Sequence, residues 1–162
     1  MKNEILEILE KNSRIEIEQL AIMINMPREE VLKQIKELED SNIILGYNTM
    51  IDWEKTEKES VTALIEVKVT PQRGLGFDSV AERIYRFPQV KSCYLMSGGY
   101  DLAVIIEGAN IKEIAMFVAK RLSAIECVLS TATHFILKRY KDNSVIFDKK
   151  QKDNREALVL WI

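Results

Sequence analysis

The sequence has little of what a catalytic centre, a metal site or a disulfide framework requires. Its two cysteines, Cys93 and Cys127, lie far apart and form no CxxC pattern, and its one histidine is His134. A structural zinc site needs four closely grouped Cys or His ligands, and acid–base catalysis most often uses histidine. The sequence also lacks a phosphate-binding glycine motif. We therefore predict no catalytic residue, no metal site and no cofactor.

Long apolar runs are missing as well. The longest, such as LAIMINM and LAVII, are far shorter than the ~20 residues that span a bilayer. The N-terminal segment MKNEILEILEKN is polar and amphipathic, without the apolar region and cleavage site of a secretory signal. These features predict a cytoplasmic protein that does not interact with membranes.

The first third of the chain is short of positive charge. Residues 1–52 contain six Lys/Arg and eleven Asp/Glu, a balance of −5, whereas residues 53–162 contain 17 and 14, a balance of +3. A nucleic-acid-binding domain normally carries an excess of positive charge. The charge distribution alone therefore argues against DNA binding by the N-terminal part.

Within residues 1–51, however, apolar residues recur at helical spacing in three successive stretches. The first two are NEILEILEKN and IEIEQLAIMI. The third has Pro27 at its predicted first position and places Val31, Ile35 and Leu38 on one side. A short turn between the second and third helices predicts a helix-turn-helix domain. The run IILGY that follows predicts a short strand, as in winged variants of that domain.

The segment 52–60, DWEKTEKES, is rich in charge and predicts a surface linker. Residues 61–140 then alternate between two patterns. The period-two runs VTALIEVKV, VKSCYLM, LAVIIE and VLSTATHFILK predict strands, and FDSVAERIYRF and NIKEIAMFVAKRLSAI predict helices, the second capped by Asn110. The order βαββαβ predicts a ferredoxin-like domain, with two helices on one face of an antiparallel sheet, so the fold class is α+β.

Two features beyond this core point to association. A ferredoxin-like sheet leaves one face bare, which predicts a dimer or a larger assembly. Residues 141–162 form a C-terminal extension that ends in the apolar run ALVLWI. We expect this end to dock on its own domain or on a neighbouring one.

The order of these elements resembles the leucine-responsive regulator/AsnC family of transcription regulators. The residues that carry the resemblance lie in NSRIEIEQLA, NMPREEVLKQIKELEDSNIILGY and SGGYDL, and it covers residues 1 to about 140. It implies a sequence-specific regulator that forms a homodimer, in some members an octamer. It also implies a small effector, often an amino acid, bound between ferredoxin-like domains near the stretch SGGYD, residues 97–101, which we call the glycine loop. This chain departs from the family at Gln34, where a basic residue is common, and at Pro27, where Ser or Thr is common.

In a helix-turn-helix domain the N-terminal end of the third helix enters the major groove of double-stranded DNA. The residues that we predict to contact DNA are Arg14, Arg28, Glu29, Lys33, Gln34 and Lys36. Glu29 can accept a hydrogen bond from cytosine N4, although a carboxylate adds no counterion-release affinity. Two alternatives stay open: the same charges form i,i+4 ion pairs along an exposed helix, and Arg14 is simply solvated.

The stretch SGGYD joins two predicted strands. Gly98 and Gly99 can adopt positive φ and turn backbone N–H groups towards an anion, and Asp101 can pair with an ammonium group. Such a site suits a zwitterionic amino acid, although a plain β-turn has the same composition. The residues that we predict to bind the effector are Ser97, Gly98, Gly99, Tyr100, Asp101, Thr131 and Thr133.

Two other functions are alternatives to a DNA-binding regulator. The first is an effector-binding oligomer that does not bind DNA, which the charge distribution favours. The second is an enzyme, since siroheme decarboxylases look similar in architecture and have a degenerate helix-turn-helix. That chemistry needs His and Arg around a tetrapyrrole, and a single histidine supplies it poorly. We therefore predict a regulator and not an enzyme.

Overall fold

The computed structural model of the chain describes residues 2–70 and 76–147. The apolar run ALVLWI, for which docking is expected, lies outside these residues. The chain divides after Ile51 into two compact units. In the described part, no helix is both long and apolar enough to cross a membrane.

The first unit consists of three helices. They are α1 (Lys2–Lys11), α2 (Ile17–Met23) and α3 (Arg28–Asp40). Their apolar residues at helical spacing meet in a core of seven buried side chains: Ile5, Leu9, Leu20, Ala21, Val31, Ile35 and Leu38. Between α2 and α3, Asn25 has a φ of 50° and the Met26 amide donates to the Ala21 carbonyl oxygen at 2.9 Å. This tight connection forms the predicted helix-turn-helix.

The start of α3 lies one residue later than predicted. Pro27 has φ −59° and ψ 140°, so it precedes the helix as its cap instead of occupying the first helical position. Its carbonyl oxygen accepts a hydrogen bond from the Val31 amide at 3.1 Å. Proline thus begins the helix through its carbonyl, without supplying a side-chain cap.

The predicted strand IILGY does not form, since residues 41–52 contain no strand. The amides of Ile43 and Ile44 both donate to the Leu38 carbonyl oxygen, at 2.9 and 3.1 Å. Asn42, with a φ of 55°, makes this possible by turning the chain back at the end of α3. The amides at the start of the run therefore close a helix and are not available to a sheet.

The second unit has the predicted β-α-β-β-α-β order. Its elements are β1 (Val61–Val69), α4 (Asp78–Tyr85), β2 (Val90–Leu95), β3 (Leu102–Gly108), α5 (Ile111–Phe117) and β4 (Val128–Phe135). The strands pair antiparallel in the order β2-β3-β1-β4, which confirms the ferredoxin-like α+β prediction. A 3-10 turn, Trp53–Lys55, precedes the sheet. A short hairpin, β5 (Lys141–Asp142) and β6 (Val145–Ile146), follows it.

Both long helices of this unit pack on one face of the sheet, the helix-covered face. The core there contains fifteen buried residues: Ala63, Ile65, Val67, Val69, Val80, Ile84, Leu102, Val104, Ile106, Ile114, Phe117, Val118, Leu122, Ile125 and Cys127. Alternate strand residues point the other way, to what we call the open face: Leu64, Glu66, Tyr94, Ala103, Ile105, Ala132 and His134. The period-two pattern of the strands thus separates the two faces.

The fifth helix follows the prediction at its start and departs from it further on. The side-chain oxygen of Asn110 accepts a hydrogen bond from the Glu113 amide at 2.9 Å, which confirms the predicted cap. Ile111, the first residue of α5, is 56% exposed, whereas Phe117 at its end is buried. After α5 the chain continues as a π-helical turn over Val118–Leu122, where the helical period widens and the regular 3.6-residue pattern no longer applies.

Candidate DNA-reading face and effector loop

The exposed side of α3 lies opposite its buried stripe. Four exposed side chains from its first three turns form what we call the reading face: Glu29, Leu32, Lys33 and Lys36. Among the described residues neither lysine forms an ion pair, so both ammonium groups are available to phosphate oxygens or guanine edges. The exposed side of α3 therefore carries two ammonium groups in the middle of the helix that no carboxylate of the described residues pairs with.

The ion pairs of α3 connect it to the other helices. Arg28 Nε donates to Glu18 Oε1 on α2 at 2.7 Å, and Lys2 Nζ of α1 donates to Glu37 Oε2 at 2.9 Å. These hydrogen bonds lower the pKa of Glu18 and the pKa of Glu37 from the usual value of 4.5. The i,i+4 ion pairs that are the alternative to DNA contact, Glu29–Lys33, Lys33–Glu37 and Lys36–Asp40, do not form along α3, although the charge of Lys33 also helps to lower the pKa of Glu37. Arg28 is thus held against α2 through its Nε, in an ion pair whose two side chains are both exposed.

Gln34 is predicted to contact DNA, but its position in α3 contradicts that prediction. Its side chain is only 7% exposed, because position 34 lies on the same side of α3 as Val31 and Leu38. Its Nε2 donates to Glu30 Oε1 at 3.2 Å, and its Oε1 is buried with no hydrogen-bond partner in the described part of the chain. A side chain turned into the core cannot read a base. The helical spacing of position 34 is the signal that shows this.

Arg14 lies in the connection before α2, three residues ahead of its first residue, Ile17. Its side chain is exposed, and its amide donates to Asn12 Oδ1 at 3.1 Å. Asn12 therefore fixes the backbone of the turn while the guanidinium of Arg14 points into solvent. This position suits a phosphate contact beside a groove-binding helix.

The glycine loop closes the hairpin of β2 and β3. The Met96 amide donates to the Asp101 carbonyl oxygen at 2.8 Å, and Ser97 is exposed within the loop. Gly98 and Gly99 do not adopt the positive φ expected of them. A Cβ added to either would meet no atom within 4 Å. The turn therefore does not require glycine at either position, and the space next to the loop backbone is open at both.

Asp101 fastens this loop to the neighbouring strand. Its Oδ2 accepts a hydrogen bond from the Val69 amide at 2.8 Å, and its own amide donates to the Val67 carbonyl oxygen at 3.0 Å. Asp101 and Tyr100 are both half-buried. Asp101 thus binds the backbone of β1 through one of its two carboxylate oxygens.

Thr131 and Thr133 are half-buried on the helix-covered side of the edge strand β4. Thr131 pairs with Val67, which itself pairs with Leu102 at the start of β3. Thr131 therefore lies in the sheet row next to the glycine loop, and Thr133 lies one row further away. Thr131 is therefore nearer to the glycine loop along the sheet than Thr133 is.

The open face carries the single histidine. His134 Nε2 lies 3.3 Å from Glu66 Oε1, across the β1–β4 pairing, on the face opposite Thr131 and Thr133. Beside this pair are the apolar side chains of Leu64 and Ala132, and the exposed ring of Tyr94 lies on the same face of the sheet, two strands away from Glu66. Within the described ranges no three His, Cys, Asp or Glu side chains are grouped as a metal site.

Comparison with known proteins matches both halves of this chain to family models. Residues 62–146 match the Lrp/AsnC ligand-binding domain. Residues 2–44 match a winged helix-turn-helix DNA-binding domain. The boundaries agree with the two units, since the helix-turn-helix model ends shortly after α3 and the ligand-binding model begins within β1.

Relatives extend the match over nearly the whole chain. An uncharacterized HTH-type transcriptional regulator of Bacillus subtilis is 52% identical over 155 residues, which covers 95% of this chain and 93% of the relative. A proline dehydrogenase transcriptional activator of Rhodobacter capsulatus is 26% identical over 130 residues, which covers 80% of this chain and 84% of the relative. The crystal structure of a Neisseria meningitidis transcriptional regulator in complex with L-Met has the same fold, with a TM-score of 0.69 at 22% identity, covering 87% of this chain and 90% of that one. With its helix-turn-helix unit and its matched ligand-binding domain, the chain belongs to the Lrp/AsnC family of transcription regulators.

Proposed function

We propose that this transcription regulator reads its operator through α3 and responds to an amino acid bound at the glycine loop. The DNA-binding part of this proposal rests on one observation. The ammonium groups of Lys33 and Lys36 lie on the exposed side of a helix-turn-helix and form no ion pair among the described residues. Glu29, beside them, accepts from cytosine N4. Arg14 contacts a phosphate, and Arg28 does so after it exchanges Glu18 for DNA.

The acidic surface of the first unit sets how tightly one copy can bind. With a balance of −5 over residues 1–52, a single unit neutralises few phosphates and gains little from counterion release. Tying several such units together raises affinity without any new contact, because the second unit binds at high effective concentration. We therefore propose that DNA binding requires an oligomer.

The open face of the sheet supplies an interface for that oligomer. Leu64 and Ile105 are half-buried there, and Tyr94 is 56% exposed. A second copy of this chain would remove these apolar side chains from water in a symmetric, isologous contact. We propose a homodimer through this face and further assembly of dimers, up to an octamer.

The effector half of the proposal rests on Asp101 and the space above Gly98 and Gly99. The carboxylate oxygen of Asp101 that does not bind Val69 can take the ammonium group of an amino acid. Exposed backbone N–H groups of the loop can take the carboxylate. The Neisseria meningitidis regulator of the same fold was solved with L-Met, which supports a small zwitterion as the ligand class. Ser97, Tyr100, Thr131 and Thr133 are the remaining proposed contacts.

A second candidate is an effector-binding oligomer that does not bind DNA, and the acidic first unit favours it. We propose no catalytic step. The decarboxylase alternative needs histidine beside a tetrapyrrole, and His134 is paired with Glu66 on the open face. A regulator that binds DNA acts in the compartment that holds the DNA, so we place the protein in the cytoplasm.

Fluorescence anisotropy with labelled DNA from upstream of the protein's own gene tests the first half. A scrambled duplex is the control, and both are titrated across a salt series. We expect specific binding whose affinity falls steeply with salt, by about 0.9 logarithmic units per phosphate contact for each tenfold rise in salt concentration. Binding that is absent even at low salt would leave the second candidate, and tight binding by a stable monomer would contradict the oligomer requirement.

The same assay tests the effector when each of the twenty amino acids is added in turn. We expect one or a few to shift the DNA affinity, and Asp101→Asn to weaken that response because the amide cannot balance an ammonium charge. Asp142→Asn is the matched control, since Asp142 pairs with Arg139 in the C-terminal hairpin. An equal response in both variants would remove Asp101 from the site.

A further inference from the structure

Leu32 occupies the middle of the reading face. Its side chain is 38% exposed, and it is not among the apolar side chains that pack against the seven-residue core of the first unit. Glu29 lies one turn before it and Lys36 one turn after it, so it stands among charged groups. A single exposed leucine elsewhere on a protein would need no explanation. This one lies where α3 meets DNA.

The chemistry of the major groove selects a partner for such a side chain. The edges of guanine, cytosine and adenine present hydrogen-bond donors and acceptors, and thymine adds the only apolar group there, its C5 methyl. Placing leucine against a polar edge would bury an unsatisfied donor or acceptor, which is costly. Placing it against a methyl group buries apolar surface on both sides.

On the basis of the function proposed above, we infer that Leu32 contacts the C5 methyl of a thymine in each half-site and thereby selects a T·A pair. The neighbours on α3 locate that pair. Side chains three or four residues apart on a helix are separated by about 5–6 Å, and base pairs by about 3.4 Å. The thymine therefore lies within about two base pairs of the bases that Glu29 and Lys36 reach. Leu32 takes the base-reading role for which the buried Gln34 is unavailable.

Deoxyuridine tests this contact, because it differs from thymidine only in lacking the methyl group. Duplexes are first selected from a random pool by the wild-type protein, and each thymine of the selected site is then replaced singly by deoxyuridine. We expect one replacement per half-site to weaken binding about three- to fivefold, the effect of one buried methyl group. The other replacements should leave affinity unchanged.

A double-substitution cycle assigns the effect to Leu32. In Leu32→Ala the same deoxyuridine should cause no further loss, whereas in Lys36→Ala it should weaken binding as in the wild type. The thermal transition of Leu32→Ala should fall much less than that of a core variant such as Leu38→Ala, because Leu32 is 38% exposed and Leu38 is 1% exposed.

The outcomes separate this inference from the function on which it rests. If the wild-type protein selects no duplex over a scrambled control, both are overturned. If it selects a site whose affinity is insensitive to every deoxyuridine replacement, or if the sensitivity persists in Leu32→Ala, regulation by DNA binding stands and the thymine contact is overturned.

Discussion

The two units of the chain differ in how completely they bury their side chains. The ferredoxin-like unit has a core of fifteen buried residues, none of them polar apart from the thiol of Cys127. The helix-turn-helix unit has seven, and beside them it buries Gln34 with an unpaired oxygen. Small units bury a smaller fraction of their surface and are correspondingly marginal. The sheet unit therefore has stability in reserve, and the DNA-reading unit has little.

The exposed surfaces differ in a complementary way. The first unit holds its helices together with exposed ion pairs, Arg28–Glu18 and Lys2–Glu37, and offers charged groups on its reading face. The second unit leaves apolar groups such as Tyr94 on its open face. We propose that the lysines of the reading face contact DNA, in a unit that is acidic as a whole, and that a second copy of the chain covers the open face. On this proposal one unit reads DNA and the other assembles the protein.

The largest effect is expected when one leucine of each core is truncated, which tests whether the two units differ in stability. Leu38 and Leu102 are both 1% exposed, and truncation of a buried leucine to alanine costs about 2–5 kcal/mol. We expect Leu38→Ala to unfold the first unit and abolish DNA binding, because that cost approaches the whole stability of so small a unit. Leu102→Ala should lower the stability of the second unit without unfolding it. Calorimetry follows the two transitions, and anisotropy follows DNA binding.

If the two variants behave alike, the two units do not differ in stability as we expect. A single transition that both substitutions shift by the same amount would mean that the units unfold as one cooperative body. Separate transitions, each moved by only one variant, would sharpen the comparison and give the free energy of unfolding of each unit.

The next test reverses a charge on the reading face. Lys33→Glu should lower DNA affinity about tenfold or more at low salt, and it should reduce the salt slope by about 1 or more, since one cation contact is lost. Lys120→Glu makes the same change of net charge at an exposed position of the second unit and serves as the control. Equal losses in both variants would show that only net charge matters and that α3 has no special position.

Much of the fold could be predicted because it follows from local periodicity. The alternation in β1 and the apolar spacing of α4 identify those elements without any knowledge of their partners. The strand IILGY could not be predicted correctly, because its first amides are used by the Leu38 carbonyl oxygen. Whether a β-prone run forms a strand depends on which acceptors the surrounding structure offers.

The candidate sites were harder to predict for a related reason. The pairing of Arg28 with Glu18 joins two helices, and a search for i,i+4 pairs along α3 cannot find it. Gln34 is expected on the surface because polar residues are assigned there by default, yet it is buried, whereas the apolar Leu32 is exposed. Helical angle separates the two correctly, and composition does not. The φ angles of Gly98 and Gly99 depend on the hairpin that contains them.

A smaller effect is expected at Gln34. Gln34→Met keeps the length of the side chain and removes its unpaired buried oxygen, so the first unit should gain about 1 kcal/mol. DNA affinity should be unchanged, because the side chain does not reach the reading face. Calorimetry of the first transition, together with anisotropy, measures both quantities. Loss of sequence-specific binding in Gln34→Met would return Gln34 to the DNA contacts and weaken the assignment of Leu32.

The smallest effect concerns the ion pairs that distinguish the surface of the first unit. Because the folded-state pKa values of Glu18 and Glu37 are lowered from 4.5, their contribution to stability is present above that pH and is lost as the pH falls below it. Both groups are exposed, so the loss is small. We expect the first transition to weaken slightly on acidification. Either Glu18→Gln or Arg28→Ala should remove part of this dependence, and the double variant should remove no more than either one.

Glu18→Gln should also raise DNA affinity at neutral pH, because it releases Arg28 and deletes a negative charge. An unchanged or lower affinity would mean that Arg28 does not contact DNA and that its role is to hold α2 against α3.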